Sequence, residues 1–294
     1  MNWMRYRLVY LVISVSVILP GVFALIKWGL NLGVDFKGGA IIEYRIDKEI
    51  STEETTKVLE DDGLEVTAVQ KTGNATYLFR TPPLENEKKD ELTKSLEGYT
   101  GVGVEELRFE NVGPSIGPDL VKKTIYALII SALGILIWVA IQFKSVKFGT
   151  SAVLAMLHDS LVLIGAFALF GHFFAAEIDF LFVTALLTIL SFSVHDTIVV
   201  YDRVRESQKK IGGDLKELAN KATTETMVRS FNNSMTIVYM LLAMVLLGGT
   251  TTRWFAVALL IGTVSGTYSS PFVAVPILVT WDEIEKRIRT RKIR

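Results

Sequence analysis

Asp196 stands in "LSFSVHDTIVVYDRVRE", residues 190–206, directly after His195, and the chain is uncharged from Phe180 up to that point. A charged residue well inside an apolar helix costs about 2.5–3.5 kcal/mol to insert, so it must face protein or a watered cavity and find a partner. Arg229, in "TETMVRSFNNSMT", offers a counter-charge, and Glu225 precedes it by one helical turn at ion-pairing spacing. A guanidinium within about 4–6 Å of Asp196 would favour the carboxylate, and its withdrawal would let a proton bind. The chemistry open to Asp196, Arg229, His195 and Glu225 is therefore proton exchange inside a membrane. His195 can relay a proton or supply one hydrogen bond. Two blander uses fit the same residues. Hydrogen-bonded helix glue averages only about 0.6 kcal/mol per contact, which rarely needs an ionisable group. Metal binding has less support, because His158, His172 and His195 lie on three different segments and no HExxH spacing occurs.

These side chains need helices that cross a bilayer. The chain has 294 residues, half of them hydrophobic, with no cysteine and no net charge. Disulfides and thiolate chemistry are thereby excluded. The apolar residues come in long runs, and six of these reach the roughly 20 residues that a bilayer core requires. The spacing predicts spans near 8–30, 124–143, 149–170, 180–201, 232–248 and 254–281. The first is too long for a signal peptide and is expected to kink at Pro20–Gly21. Pro271 and Pro276 are expected to bend the last. Thr184, Thr188, Ser191 and His195 recur every three or four residues on the fourth span, with Ser193 and Asp196 on the adjacent arc. Arg229, Asn233 and Thr236 share one face leading into the fifth. In the sixth, Gly262 and Gly266 form a GxxxG that allows close packing, beside Ser265, Ser269 and Ser270.

Basic residues set the orientation. Arg5 and Arg7, Lys144 and Lys147, a loop from Arg203 to Lys221, and a tail from Lys286 to Arg294 fall on one side, while the alternate short loops are nearly free of Lys and Arg. Both termini are therefore expected in the cytoplasm. The segment 31–121 falls outside and is acidic, with 19 Asp and Glu against 10 Lys and Arg. It has its own rhythm: a strand at "AIIEYRI", a helix capped by Ser51 and Glu54 and stopped by Gly63, a hairpin about Gly73–Asn74, a second helix, and a closing strand ending "FENV". The order βαββαβ is that of a ferredoxin-like fold. The organisation expected is thus a cytoplasmic N-terminus and first helix (1–30), an extracytoplasmic α+β domain (31–121), helices 2–6 (122–281) and a basic cytoplasmic tail (282–294). In class it is a polytopic α-helical membrane protein of six transmembrane helices with one small ferredoxin-like insert. "DFKGG" lacks the spacing of a phosphate loop. Asp35, Gly38, Gly39, Gly113 and Gly117 are read as turns through which coupling between membrane and domain would pass.

Taken together, "GVDFKGGAIIEY", "VGPSIG", "HDTIVVYDRVRE", "VRSFNNSMT" and "GTYSSPF" resemble SecF, of the SecD/SecF family within the resistance-nodulation-division superfamily. The likeness runs over essentially the whole chain. It implies an accessory, non-hydrolytic component that pairs with SecD and uses the proton-motive force to help move preprotein through the SecYEG channel, with YajC a further associate. It further implies a multi-pass protein of the cytoplasmic membrane, driven by a proton or sodium gradient, with no cofactor, metal or nucleic acid. In that family the aspartate of the fourth span and the arginine of the fifth belong to the proton path, and Asp196 and Arg229 match them. The family usually has Asn where this chain has His195, and Asn-Gln where it has Thr224–Glu225, so the local charge differs. Two other readings stay open. A homodimeric, proton-driven efflux transporter for lipids or small molecules would need only a second copy. An intramembrane aspartyl protease would use Tyr201–Asp202, but no GxGD follows on a later span.

Overall fold

The structure, a computed structural model, describes residues 1–113 and 116–293 and divides into two compact units. Pro114 and Ser115 of the "VGPSIG" motif, and Arg294 of the basic tail, lie outside the described residues.

Unit two comprises Leu32–Ile125. A short helix, α2 (Val34–Lys37), leads into β1 (Gly39–Ile46), α3 (Thr52–Asp61), β2 (Ala68–Gly73), β3 (Thr76–Thr81), α4 (Asn86–Thr100) and β4 (Val104–Val112). The four strands form one antiparallel sheet in the order β2-β3-β1-β4, the ferredoxin-like arrangement that the element order predicts. As the inner strand between β3 and β4, β1 is buried along nearly its whole length, Glu43 included, whose carboxylate accepts from the Thr72 hydroxyl. Ile42, Tyr44, Ile46 and Phe79 pack with Leu59, Leu92 and Leu96 of the two helices. Ser51 caps α3 by accepting from the Glu54 amide, and Gly63 follows it at φ +81°, as the stop signal requires. The hairpin tip falls one residue later than expected. Gly73 still pairs with Thr76, and Asn74–Ala75 make the turn with Ala75 at φ +59°.

Unit one comprises Met1–Asn31 and Tyr126–Arg294. Its elements are α1 (Arg7–Trp28), α5 (Ile116–Phe143, whose first turns fall in unit two), α6 (Val146–Phe174), α7 (Phe180–Ile211), α8 (Leu215–Leu247), α9 (Thr250–Ser269), a π-helical turn (Ser270–Ala274) and α10 (Val275–Ile293). Among the described residues six helices are long and apolar enough to cross a membrane, α9 and α10 together counting as one rod. Inside the unit, α6, α7 and that rod are the most buried, while α1, α5 and α8 are more peripheral. Small residues let the inner helices meet. A Cβ on Gly21 of α1 would stand 2.7 Å from Gly165 Cα of α6, and Gly262 and Gly266 of α9 lie against Ile189 and Ser193 of α7.

α1 is helical throughout, Pro20 included. In the last span Pro271 sits in the π-helical turn, one of the ways a helix absorbs a missing N–H, and the helix continues beyond it. One sequence expectation takes a different form. The basic "loop" from Arg203 to Lys221 is almost wholly helical, with only Gly212, Gly213 and Asp214 between α7 and α8. Its charges are spaced for helix pairing: Arg203 and Lys210 both bind Glu206, and Arg205 binds Asp202. At the same end Lys147 bridges Asp282 and Glu285 at 2.7 and 2.9 Å, and Arg7 reaches Glu283 at 2.8 Å.

Candidate functional site

α7 is fastened at its start by Asp179, which accepts from the Phe182 amide and so satisfies one of the free N–H groups of the first turn. Its two polar arcs then have opposite fates. Thr184, Thr188, Ser191 and His195 are exposed at the surface of the single chain. Ser193, Asp196 and Thr197 point inward and are buried. His195 and Ser191 line a groove of about 470 Å³ together with Ser131 and Gly134 of α5. The adjacent residues His195 and Asp196 thus work on different sides of the helix.

Asp196 is 3% exposed. Ser230 of α8 stands beside its carboxyl, yet the Ser230 hydroxyl and Asp196 Oδ2 both lack a hydrogen-bond partner among the described residues. Arg229 does not pair with it. The residue after Val228 turns outward and lines a groove of about 610 Å³ with Asp202, Arg203, Glu206 and Thr226. Glu225 is not paired with Arg229 either. Its carboxylate takes the Nε of Arg203, whose Nη1 binds Glu206. The i,i+4 rule puts Glu225 and Arg229 within reach, but a guanidinium from α7 arrives first. The face of α8 that enters the core is the neighbouring one: Thr223, Thr226, Ser230 and Ser234 are buried, while Arg229, Asn233 and Thr236 are exposed.

A larger polar cluster sits one helix away, on a residue that the charge-pair argument passes over. Asp159 of α6 is fully buried. Its Oδ2 accepts from Ser193 of α7 and Ser269 of α9, and its Oδ1 from Ser265 of α9, each at 2.6 Å. His158 Nδ1 lies 3.1 Å from Oδ1. Thr197 and Ser270 extend the cluster at 3.0 Å. A sequence signal for it exists. "LHDSL" at 157–161 repeats the His-Asp dipeptide of "VHDTI" at 194–198, each inside an apolar run.

The glycine-rich stretches come together within unit two. Gly38 closes α2 at φ +78°, and Gly39 opens β1 at φ +135°. Gly113 follows β4. Gly117 is not a turn: it lies in the first turn of α5, where a Cβ would stand 2.3 Å from the Phe36 carbonyl oxygen. Asp35 is the neighbour of Phe36 in the same short helix. "DFKGG" and the residues after β4 therefore pack backbone to backbone.

Six apolar helices with a buried acid on the fourth, and a ferredoxin-like unit inserted after the first, make this a polytopic membrane protein. The family described as protein export membrane protein SecD/SecF, C-terminal, matches residues 91–284, and the SecD/SecF GG motif matches residues 23–50. The chain is 40% identical to the protein translocase subunit SecF of Thermobaculum terrenum, over 95% of this chain and 93% of that one. It is 37% identical to that of Anaerolinea thermophila, over 98% and 96%. Among solved structures, SecDF, a translocon-associated membrane protein from Thermus thermophilus, superposes with a TM-score of 0.83 at 30% identity, covering 96% of this chain but 39% of that longer one. The chain belongs to the SecF family of protein translocase subunits.

Proposed function

We propose that this subunit pairs with a SecD-like partner in the cytoplasmic membrane and uses the proton gradient to promote export of preprotein through the Sec channel. It acts as a transport component without hydrolytic chemistry of its own. Both termini face the cytoplasm, and the ferredoxin-like unit faces outside. The observation that carries this reading is Asp196: buried mid-helix, with one carboxyl oxygen unpartnered. An acid in that position is stable when protonated and needs a counter-charge when ionised. Arg229 follows directly before Ser230, which faces the acid, and successive helical residues point about 100° apart. A rotation of α8 or a swing of the side chain would bring the guanidinium to the acid. The unpaired arrangement then corresponds to the protonated stage of the cycle.

Pairing with SecD is supported by two features. The longer SecDF chain holds this chain's length together with a second portion. On the outward stripe Thr184 and Thr188 donate to backbone carbonyls one turn back, but Ser191 and His195 are exposed polar groups at membrane depth, where bare polar groups are costly, so a second set of helices would cover them. A homodimer would cover it as well, and co-purification of a SecD-like chain separates the two.

The test is Asp196→Asn, with export followed in vesicles containing the partner, with and without an imposed proton gradient. Loss of the gradient's stimulation in an assembled complex is expected. Stimulation that survives would make Asp196 packing glue.

A further inference from the structure

Asp159 is a second carboxylate that coupling through Asp196 alone leaves unused. It is 0% exposed, and Ser193, Ser265 and Ser269 all donate to it at 2.6 Å. His158 Nδ1 stands at 3.1 Å, while its Nε2 is buried without a partner among the described residues. No Lys or Arg forms an ion pair with Asp159 among the described residues; its one charged-pair contact is His158. Simple helix glue does not need this. Ser151, Ser160 and Thr197 each bond a backbone carbonyl one turn back, which satisfies a hydroxyl at no cost in charge. A buried acid met by hydroxyls from two other helices is equipped for both of its charge states: donors hold the anion, and hydroxyls can turn to accept from the acid.

A proton source lies close. Ser193 precedes Asp196 by three residues on α7, so the two sit one turn apart on the same side of that helix. Asp196 Oδ2 is buried without a partner among the described residues, and it is the proton carrier of the reading above.

The geometry points to Asp159 as a second proton-binding site, loaded from Asp196 through the Ser193 hydroxyl. This rests on the reading of Asp196 as the proton carrier. In the transfer Asp196 gives its proton to one intervening water, which passes a proton to Ser193 Oγ as the Ser193 hydroxyl proton passes to Asp159 Oδ2. Asp196 ends as the carboxylate and Asp159 as the neutral acid. Loading has a mechanical result. Ser193 and Ser269 share Oδ2, and once that oxygen carries a proton the Ser193 bond reverses, with the acid donating, while Ser269 meets a neutral hydroxyl oxygen that accepts more weakly. The junction of α6, α7 and α9 then loosens at its centre. The other titratable groups near it are His158, Tyr268 of α9, whose ring centroid is 6.2 Å from that of His158, and Tyr10 of α1, whose carbonyl accepts from Tyr268. The acids of α10 are engaged at its cytoplasmic end by Lys147 and Arg7.

Difference infrared spectroscopy of the protonated-carboxyl C=O band tests this on the full chain, reconstituted with its partner in vesicles and taken through pH steps. Two bands are expected, one lost in Asp196→Asn and the other in Asp159→Asn. The double variant Ser265→Ala, Ser269→Ala should move the midpoint of the second band by about one pH unit and leave the first in place. That variant carries the test alone if Asp159→Asn does not assemble. A spectrum unchanged by Asp159→Asn, or a midpoint unmoved by the serine variant, overturns the inference. Export measured on the same vesicles separates the two readings. If Asp196→Asn abolishes gradient stimulation but no band belongs to Asp159, only the present inference fails. If stimulation survives Asp196→Asn, the earlier reading fails, and loading from Asp196 fails with it.

Discussion

Ser193 Oγ of α7 donates to Asp159 Oδ2 of α6 at 2.6 Å, one helical turn before the unpartnered Asp196. The bond ties two of the three most buried spans together. Ser193→Ala leaves Asp159 with the α9 hydroxyls alone. Intramembrane hydrogen bonds average about 0.6 kcal/mol and reach about 1.7, and a fully buried carboxyl acceptor puts this one toward the upper end. Thermal unfolding in detergent should show a lower midpoint. An unchanged midpoint would mean that the bond contributes no stability.

The close approaches of α1 to α6 and of α9 to α7 differ in what stands opposite the glycine. At Gly21 a new Cβ would meet the backbone of Gly165, whereas at Gly262 it would meet side-chain atoms of Ile189, its Cγ1 and Cγ2 as well as Cδ1. Overpacking costs about 1–3 kcal/mol, least where a side chain can move. Gly21→Ala should therefore destabilise more than Gly262→Ala, and Ile189→Val should restore part of the second loss. Equal losses, or no restoration, would contradict the packing described.

Gly117 sits where any side chain would collide with the Phe36 carbonyl. Gly117→Ala should push the "VDFKGG" segment away from the start of α5 while leaving the sheet intact. Faster proteolytic cutting within residues 34–39, with the strands still protected in hydrogen exchange, is the expected outcome. If cutting is unchanged, the contact does not hold the segment. Reduced gradient-driven export in the same variant would mark these glycines as a coupling element.

Tyr44 lies in the sheet core, with its hydroxyl 2.7 Å from that of Thr93, and burial pushes its phenol up to about 12. The sign follows from the neutral form being the one that fits the fold. The stabilisation is full below the unfolded value near 10 and is lost as pH rises through the folded value. Tyr44→Phe should cost about 1 kcal/mol at neutral pH and should flatten the alkaline loss of stability of unit two. An identical alkaline profile in the variant would place the titration elsewhere.

Much of this architecture is legible in the residues. Run length alone marks the six spans, because a bilayer core demands some 20 apolar residues whatever their neighbours. The ferredoxin-like unit follows from Ser51 and Gly63 bounding one helix, from Gly73–Asn74 bending a hairpin, and from the buried run "AIIEY". Asp196 declares itself as a charge in an apolar stretch. Asp159 carries the same signal in "LHDSL", yet charge-pair reasoning passes over it because its partners are hydroxyls rather than a cation.

By itself the sequence determined the elements, their order and which residue types had to be inside. Each of these depends on local propensity or on transfer from water, and both act residue by residue. Only the tertiary structure decided the partners. Helical spacing allows Glu225 to meet Arg229, but the depth and rotation of α7 bring Arg203 there instead. It makes Asp196 and Arg229 plausible companions, but α8 turns Ser230 inward and leaves Arg229 in the groove with Asp202 and Arg203. Periodicity gives a face and not the helix across from it. That choice is made by backbone contacts such as Gly21 on Gly165 and Gly266 on Ser193, which fix how far and at what angle the helices approach.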